Sequence, residues 1–429
     1  MADDRKPKEP QGLPEGWKWV RLGEVIEEVK ERNLSNDQLP LLTSSRKGIY
    51  LQDEYFNRIV ASENLSNYKV IRKGQFTYRS MSDDETFVFN RLENIELGLV
   101  SPAYYIFQVI KGCSGSFLKY FINNSVEVKK QIYKYVEGTT RTALRFNQLK
   151  NFILPLPPLP EQRKIAQILE TVDNAIEKTE KIIEKYKRIK QGLMQDLLTK
   201  GIDEKGNIRS EKTHKFKDSP LGRIPEEWEV VRLGEVCDIN PERIKYEQGR
   251  IIKYIDIESI KDGNVSDYKI FKIEEAPSRA QRIVKEHDIL ISTVRPNLKA
   301  FTIIKPEYNY FICSTGFAVV RSKSSVNPLF LFHLIWFDEI FLKQVLPLVV
   351  GSNYPAVNSK ELINILIPLP PLSEQKRIAE ILSQIDQAIE KEEKYKQKLE
   401  RLKKGLMEDL LTGKVRVNKL LEGENHEMA

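Results

Sequence analysis

Residues 154–169 read LPLPPLPEQRKIAQIL, and residues 367–382 read IPLPPLSEQKRIAEIL, 213 positions further on. A proline run cannot sit inside a helix, but it pre-sets the backbone for a first turn. Glu161 and Glu374 suit the positive end of the helix that follows. No proline interrupts the chain from Glu161 to Leu198, and Ile165, Val172, Thr179, Tyr186 and Leu193 recur every seven residues. Ile168, Ala175, Ile182 and Ile189 follow the first four by three residues, and Leu169, Ile176 and Ile183 widen the stripe. The second copy has Ile378, Ile385, Glu392, Leu399 and Leu406, joined by Ile381, Ala388, Tyr395 and Leu402, with Ile389 beside them. Each pattern predicts a helix on the order of 57 Å long. Apolar stripes of that length favour helix pairing as a coiled coil. A long amphipathic helix lying on its own globular domain is the plainer alternative.

Outward from these helices the duplication continues. LPEGWKWVRLGEV (residues 13–25) returns as IPEEWEVVRLGEV (residues 224–236), and GLMQDLLT (residues 192–199) returns as GLMEDLLT (residues 405–412). Three blocks in one order at a near-constant offset define a duplicated module. Each module opens with a mixed region whose β-branched and aromatic runs, such as Gln75–Arg79, Tyr104–Val109, Asp288–Thr293 and Phe317–Val320, read as short strands. These regions differ between copies at most positions, whereas the ends and the helices agree. The predicted fold is α+β: two mixed α/β domains joined by two long helices that form an antiparallel coiled coil, in a pseudo-twofold duplicated architecture. The expected boundaries are 13–155 and 224–368 for the mixed domains, 156–200 and 369–414 for the helices, 201–223 for a polar linker and 415–429 for a C-terminal tail, polar and disordered after Val417. Trp17 and Trp228, in the opening motif of each copy, are expected to pack rather than to stack on a ligand.

Composition narrows the function. Lys and Arg number 68 against 61 Asp and Glu, a net charge of +7 that permits a polyanionic partner without demanding one. Cys113, Cys237 and Cys313 are far apart and form no CxxC pair, so neither a disulfide framework nor a zinc site is readable. No long uncharged apolar run suggests a membrane span, and the polar start is unlike a secretory signal, so a cytoplasmic protein is expected. Gly201 and Gly206 have P-loop spacing, but Asn207 stands where the lysine belongs. His214, His287, His333 and His426 have no metal-ligand spacing, and His333 lies in an apolar run where a packed histidine is expected. No catalytic residue and no metal site is expected.

The repeated RLGEV, PLPPLPEQRKIA/PLPPLSEQKRIA and GLMQDLLT/GLMEDLLT blocks, with HKFKDSPLGRIPEEW (residues 214–228), resemble the specificity subunits of type I restriction-modification enzymes. The resemblance spans almost the whole chain. It implies two target-recognition domains that bind double-stranded DNA. Two methylation subunits would dock on the chain, and restriction subunits would complete the complex. S-adenosylmethionine, ATP and Mg would belong to those partners, and no cofactor to this chain. It does not locate base-reading residues, which must be chosen by chemistry. Arg, Asn and Gln pair with base edges, while Thr and Ser serve phosphates or bases. The candidates are Thr139, Thr140, Arg141, Thr142, Arg145 and Asn147 in the first copy and Ser352, Asn353 and Tyr354 in the second. A second set, just after predicted strands, is Arg79 and Ser80 with Arg295 and Asn297. A solvated loop residue is the plain reading of each. Two rival functions are a fused restriction-methylation enzyme, disfavoured by the missing motifs, and a pure assembly scaffold, disfavoured by the divergence of the mixed regions.

Overall fold

The computed structural model describes residues 12–56, 64–84, 86–136, 142–353, 355–418 and 420. Two compact units are present: residues 1–179 with 395–429, and residues 180–394. Each unit therefore holds one mixed domain, the first half of its own long helix and the second half of the other module's helix.

The mixed domains share a ground plan. In the first, a four-stranded antiparallel sheet runs in the order Ile26–Val29, Tyr104–Val109, Phe76–Arg79, Asn90–Arg91. In the second the order is Cys237–Ile239, Phe317–Ser322, Ile289–Ser292, Phe301–Ile303. Each module also has a two-stranded ladder joining the opening motif to the proline run, Lys18–Arg21 with Ile153–Leu156 and Glu229–Arg232 with Leu366–Leu369. The copies part company around a second sheet. There the first module has two two-stranded ladders, Leu42–Ser45 with Gly48–Leu51 and Lys69–Arg72 with Leu97–Val100, and the second builds four strands from Ile251–Ile255, Lys269–Lys272, Ala280–Ile283 and Ile312–Ser314.

The long helices are Leu159–Thr199 and Leu372–Leu411. In the first unit Ile165, Ala166 and Leu169 share a core with Leu410 and Leu411, and Lys403 pairs with Asp173 at 2.6 Å. In the second, Met194, Leu197 and Leu198 share a core with Ile378, Ala379 and Leu382, while Lys190 pairs with Asp386 at 2.6 Å. Within each unit the helices thus run antiparallel.

The inward row differs from the expected one. Ile165, Val172, Ile378 and Ile389 are buried, and Ile176, Tyr186, Leu193, Ile385, Leu399 and Leu406 are half-buried. However, the companions of the seven-spaced row lie four residues later, at Leu169, Ile176, Ile183 and Leu197, and at Leu382, Ile389 and Leu410. Of the residues three later, Ile168, Ala175, Ile381 and Ala388 are half-buried, while Ile182, Ile189, Tyr395 and Leu402 are 42%, 39%, 50% and 52% exposed. At 3.6 residues per turn, i+3 falls roughly 60° to one side of i and i+4 roughly 40° to the other. Both sides carry apolar residues, so the pattern cannot choose between them; the packing partner does.

The glutamates at the helix starts are buried, with Glu161 1% and Glu374 7% exposed. Trp17 Nε1 donates to Glu161 Oε2 and Trp228 Nε1 to Glu374 Oε2, both at 3.1 Å. The counter-charge arrives from beyond the end of the other module's helix. Arg416 reaches Glu161 at 2.7 and 2.9 Å, and Arg209 makes a two-pronged contact with Glu374. The adjacent glutamines tie each helix start to its domain: Gln162 Oε1 accepts from Ser114 N, and Gln375 Oε1 from Asn327 N, the residues that cap helices Gly115–Asn124 and Pro328–Trp336.

Residues 201–223, expected as a polar arm, are folded. Ile202 and Arg209 are buried, and Phe216–Ser219 pairs with Gly222–Pro225. Gly201 makes the turn possible. Its φ is +65°, and a Cβ there would fall 2.2 Å from Glu374 Oε1. The expected tail is in part folded, with Val417 buried and Arg416 paired with Glu161, while residues 419 and 421–429 lie outside the described residues. No helix among the described residues is long and apolar enough to cross a membrane.

Candidate nucleic-acid interface

In the first module the strand Phe76–Arg79 continues into Met81–Ser82, which pairs antiparallel with Thr142–Ala143. Leu144 N donates to Ser80 O at 3.0 Å. This ladder brings Arg79 and Ser80 beside the segment leading to Arg145 and Asn147, although the two segments are far apart in sequence. Arg79, Arg145 and Asn147 are exposed. The Arg145 amide is held by Gln148 Oε1 at 2.7 Å, fixing the start of the short helix Phe146–Leu149. The hydroxyl candidates are committed to the scaffold. Thr142 is buried and donates to Ser82 O at 3.2 Å, and Ser80 donates to Ala103 O at 2.8 Å. Thr139, Thr140 and Arg141 lie outside the described residues.

The second module repeats the arrangement with other side chains. Val294 bridges Ala356, the stations 213 positions on from Met81 and Ala143. Arg295 N donates to Pro355 O at 2.8 Å, and Arg295 Nη2 to Asn353 O at 3.1 Å, so the two candidate loops meet. Arg295 has φ +47°, a left-handed conformation that costs a side-chain-bearing residue roughly 1–2 kcal/mol and is held here by these bonds. Asn297, Ser352 and Asn353 are exposed beside it, and Tyr354 lies outside the described residues. In each module, therefore, the described candidates converge on one rim.

A basic, aromatic cleft in the first module was not anticipated. It measures about 590 Å³, and Arg46, Lys47, Tyr55, Phe56, Arg79 and Tyr104 help to line it. Tyr55 and Phe56 are 48% and 42% exposed. Arg46 is ion-paired with Asp84, whose carboxyl is held below its usual range first by the Ser82 hydroxyl and then by Arg46. The available signal was the SSRKG turn (residues 44–48) between two short apolar runs, a hairpin with a basic tip. The thiols have no visible chemistry. Burial pushes Cys113 and Cys237 up to about 12 and Cys313 higher still. Among the described residues no group of three or more His, Cys, Asp or Glu side chains is arranged to hold a metal.

A family model described as "Type I restriction modification DNA specificity domain" matches this chain twice, over residues 14–188 and 225–401. The chain belongs to the type I restriction-modification specificity subunits. The MjaVIII specificity subunit of Methanocaldococcus jannaschii is 32% identical over 442 residues, covering 96% of each chain. The EcoDI specificity subunit of Escherichia coli is 25% identical over 400 residues, covering 87% of this chain and 82% of its own. Two solved structures share the fold. One is a type I system S subunit from M. genitalium (TM-score 0.57, 15% identity, 94% and 98% covered). The other is a chain from a type I restriction-modification assembly (TM-score 0.51, 23% identity, 95% and 100% covered). As a specificity subunit the chain carries two target-recognition domains, and the rims described above belong one to each.

Proposed function

We propose that each target-recognition domain reads one half of a bipartite, asymmetric DNA target through its rim, and that the paired helices set the distance between the halves. One observation carries this reading. The two rims occupy equivalent stations, Met81/Ala143 and Val294/Ala356, yet present Arg79, Arg145 and Asn147 in one module and Arg295, Asn297, Ser352 and Asn353 in the other. The same frame holding different readers suits half-sites of different sequence. Half-site centres about one helical turn apart, ~34–36 Å, suit two readers docked on one side of a duplex. The chain itself is non-catalytic. Methylation and ATP-dependent cleavage belong to partner subunits, which supply S-adenosylmethionine, ATP and Mg chemistry in the cytoplasm. The exposed apolar residues Ile182, Ile189, Tyr395 and Leu402 suit the docking of two methylation subunits on the long helices.

Single-molecule methylome mapping of cells carrying this chain with its partners is expected to return two unlike half-sites separated by unspecified base pairs. A continuous or palindromic motif would sink the reading. Methyl transfer to DNA by the purified chain with S-adenosylmethionine alone would overturn the non-catalytic assignment.

A further inference from the structure

A second pair of equivalent stations lies beside the rims. In the first module Arg32 bridges Lys69, with Asn33 N donating to Tyr68 O and Val70 N to Glu31 O, both at 3.0 Å. In the second, Arg243 bridges Arg282, with Ile244 N donating to Gln281 O at 2.9 Å and Ile283 N to Glu242 O at 3.2 Å. The two ladders superimpose residue for residue in pattern, and each sets two cations side by side. The acid that precedes the pair is occupied elsewhere: Glu31 by Arg72 at 2.7 Å, and Glu242 by Lys285 and Arg321. None of Arg32, Lys69, Arg243 and Arg282 forms an ion pair with a carboxylate among the described residues.

Like charges brought together and partly desolvated, with no direct ion pair, are costly unless an anion completes them. Burial foremost lowers the Lys69 ammonium, with Glu28 opposing and Arg32 adding to the shift; burial foremost also lowers the Arg282 guanidinium, with Arg243 adding. Arg282 Nη1 is buried without a partner, and the strand that carries it breaks register between Ala280 and Arg282, an irregularity that re-aims side chains. Both pairs border the rims. Lys69 Nζ donates to Tyr104 O, and Tyr104 pairs across the sheet with Arg79. Near Arg243, Asn240 Nδ2 bonds Ser359 Oγ at 3.2 Å in the loop that carries Ser352 and Asn353.

Resting on the reading of each domain as a DNA reader, we propose that Arg32–Lys69 and Arg243–Arg282 are the stations at which each domain grips a phosphodiester of the DNA backbone. The choice of phosphate over base follows from the duplication. The rims differ because half-sites differ, whereas these pairs are kept basic in both modules, and the backbone is the feature common to both half-sites.

The test uses the full chain assembled with its methylation subunits. Equilibrium binding is measured on a duplex bearing the mapped target and on one lacking it, across a salt series. Arg32→Gln and Arg243→Gln change exposed side chains. Each is expected to weaken both duplexes by the same factor and to lower the salt slope by about 0.9, so that a fourfold rise in salt costs the variant about 3.5-fold less affinity than wild type. Because each relieves a like-charge contact, neither is expected to lower the thermal midpoint, which a merely structural residue would do. Unchanged affinity and slope, or an altered methylated motif, would overturn the clamp. A wild-type complex without preference for its mapped target would instead sink the reader assignment, while the slopes on either duplex still score the clamp.

Discussion

A buried carboxylate needs a counter-charge, and Glu374 draws its own from Arg209, a residue whose sequence surroundings read as a polar linker. Breaking such a pair strands a charge inside the protein. Arg209→Met is expected to destabilise the second unit by about 3–5 kcal/mol in urea unfolding. Arg416→Met is expected to cost less, because the Arg416 side chain is 23% exposed and water can replace part of the contact. Equal losses would contradict that ordering. Glycines separate in the same way. Gly201→Ala meets a positive φ and a filled space, so a loss of more than about 2 kcal/mol is expected, whereas Gly192→Ala, in open space within a helix, is expected to gain about 0.5–1 kcal/mol. Among the proposed readers, Arg145→Ala is expected to cost about 1–3 kcal/mol of binding and to relax one target position if the side chain meets a base edge. Loss uniform over all sequences would make Arg145 a backbone contact. The sequence pointed to Trp17 and Trp228 as packed and to the glutamates as helix-start residues. It could not show their joining, because Trp, Glu and Arg come from three distant segments.

At the level of elements, the joint between each domain and its helices repeats with one substitution. In the first unit Tyr120 donates to Asp173 at 2.7 Å, and Lys403 pairs with the same carboxylate. In the second, His333 occupies the tyrosine's station, with Nδ1 3.7 Å from Asp386, Nε2 3.4 Å from Ser383 Oγ, and Lys190 on the carboxylate. Burial foremost, then Lys190, pushes His333 down to about 3. Unfolded, it would titrate near 6.5. The unfolded chain therefore takes up a proton below pH 6.5 while the folded one does not. The stability due to neutral His333 is complete above about pH 6.5 and is lost as pH falls from there toward 3, by up to about 1.4 kcal/mol per pH unit. His333→Tyr would restore the phenol–carboxylate bond, and its melting temperature is expected to fall less than that of wild type between pH 7.5 and 5.0. Parallel curves would show that His333 is not responsible. The expectation of a packed histidine came from its apolar neighbours. That it faces a carboxylate depended on where the long helix runs.

For the whole molecule, the spacer role proposed for the helices makes a quantitative prediction. Removing one heptad from the middle of each keeps the inward row in phase and shortens each helix by about 10.5 Å, the rise of on the order of three base pairs. Methylome mapping is expected to show the unspecified gap contracted to match, with both half-sites unchanged; an unchanged gap would refute the spacer. The duplication, the long helices and their approximate ends were legible in sequence because proline runs, seven-residue periods and repeated blocks are local or self-referential signals. Only the tertiary structure decided which flank of the seven-spaced row turns inward, that residues 201–223 fold so that Arg209 closes on Glu374, and that the diverged mixed domains share a ladder pairing Arg32 with Lys69 and Arg243 with Arg282. Each of these depends on which distant surface lies opposite. Burial and charge settle that across the fold, and no short stretch of the chain carries it.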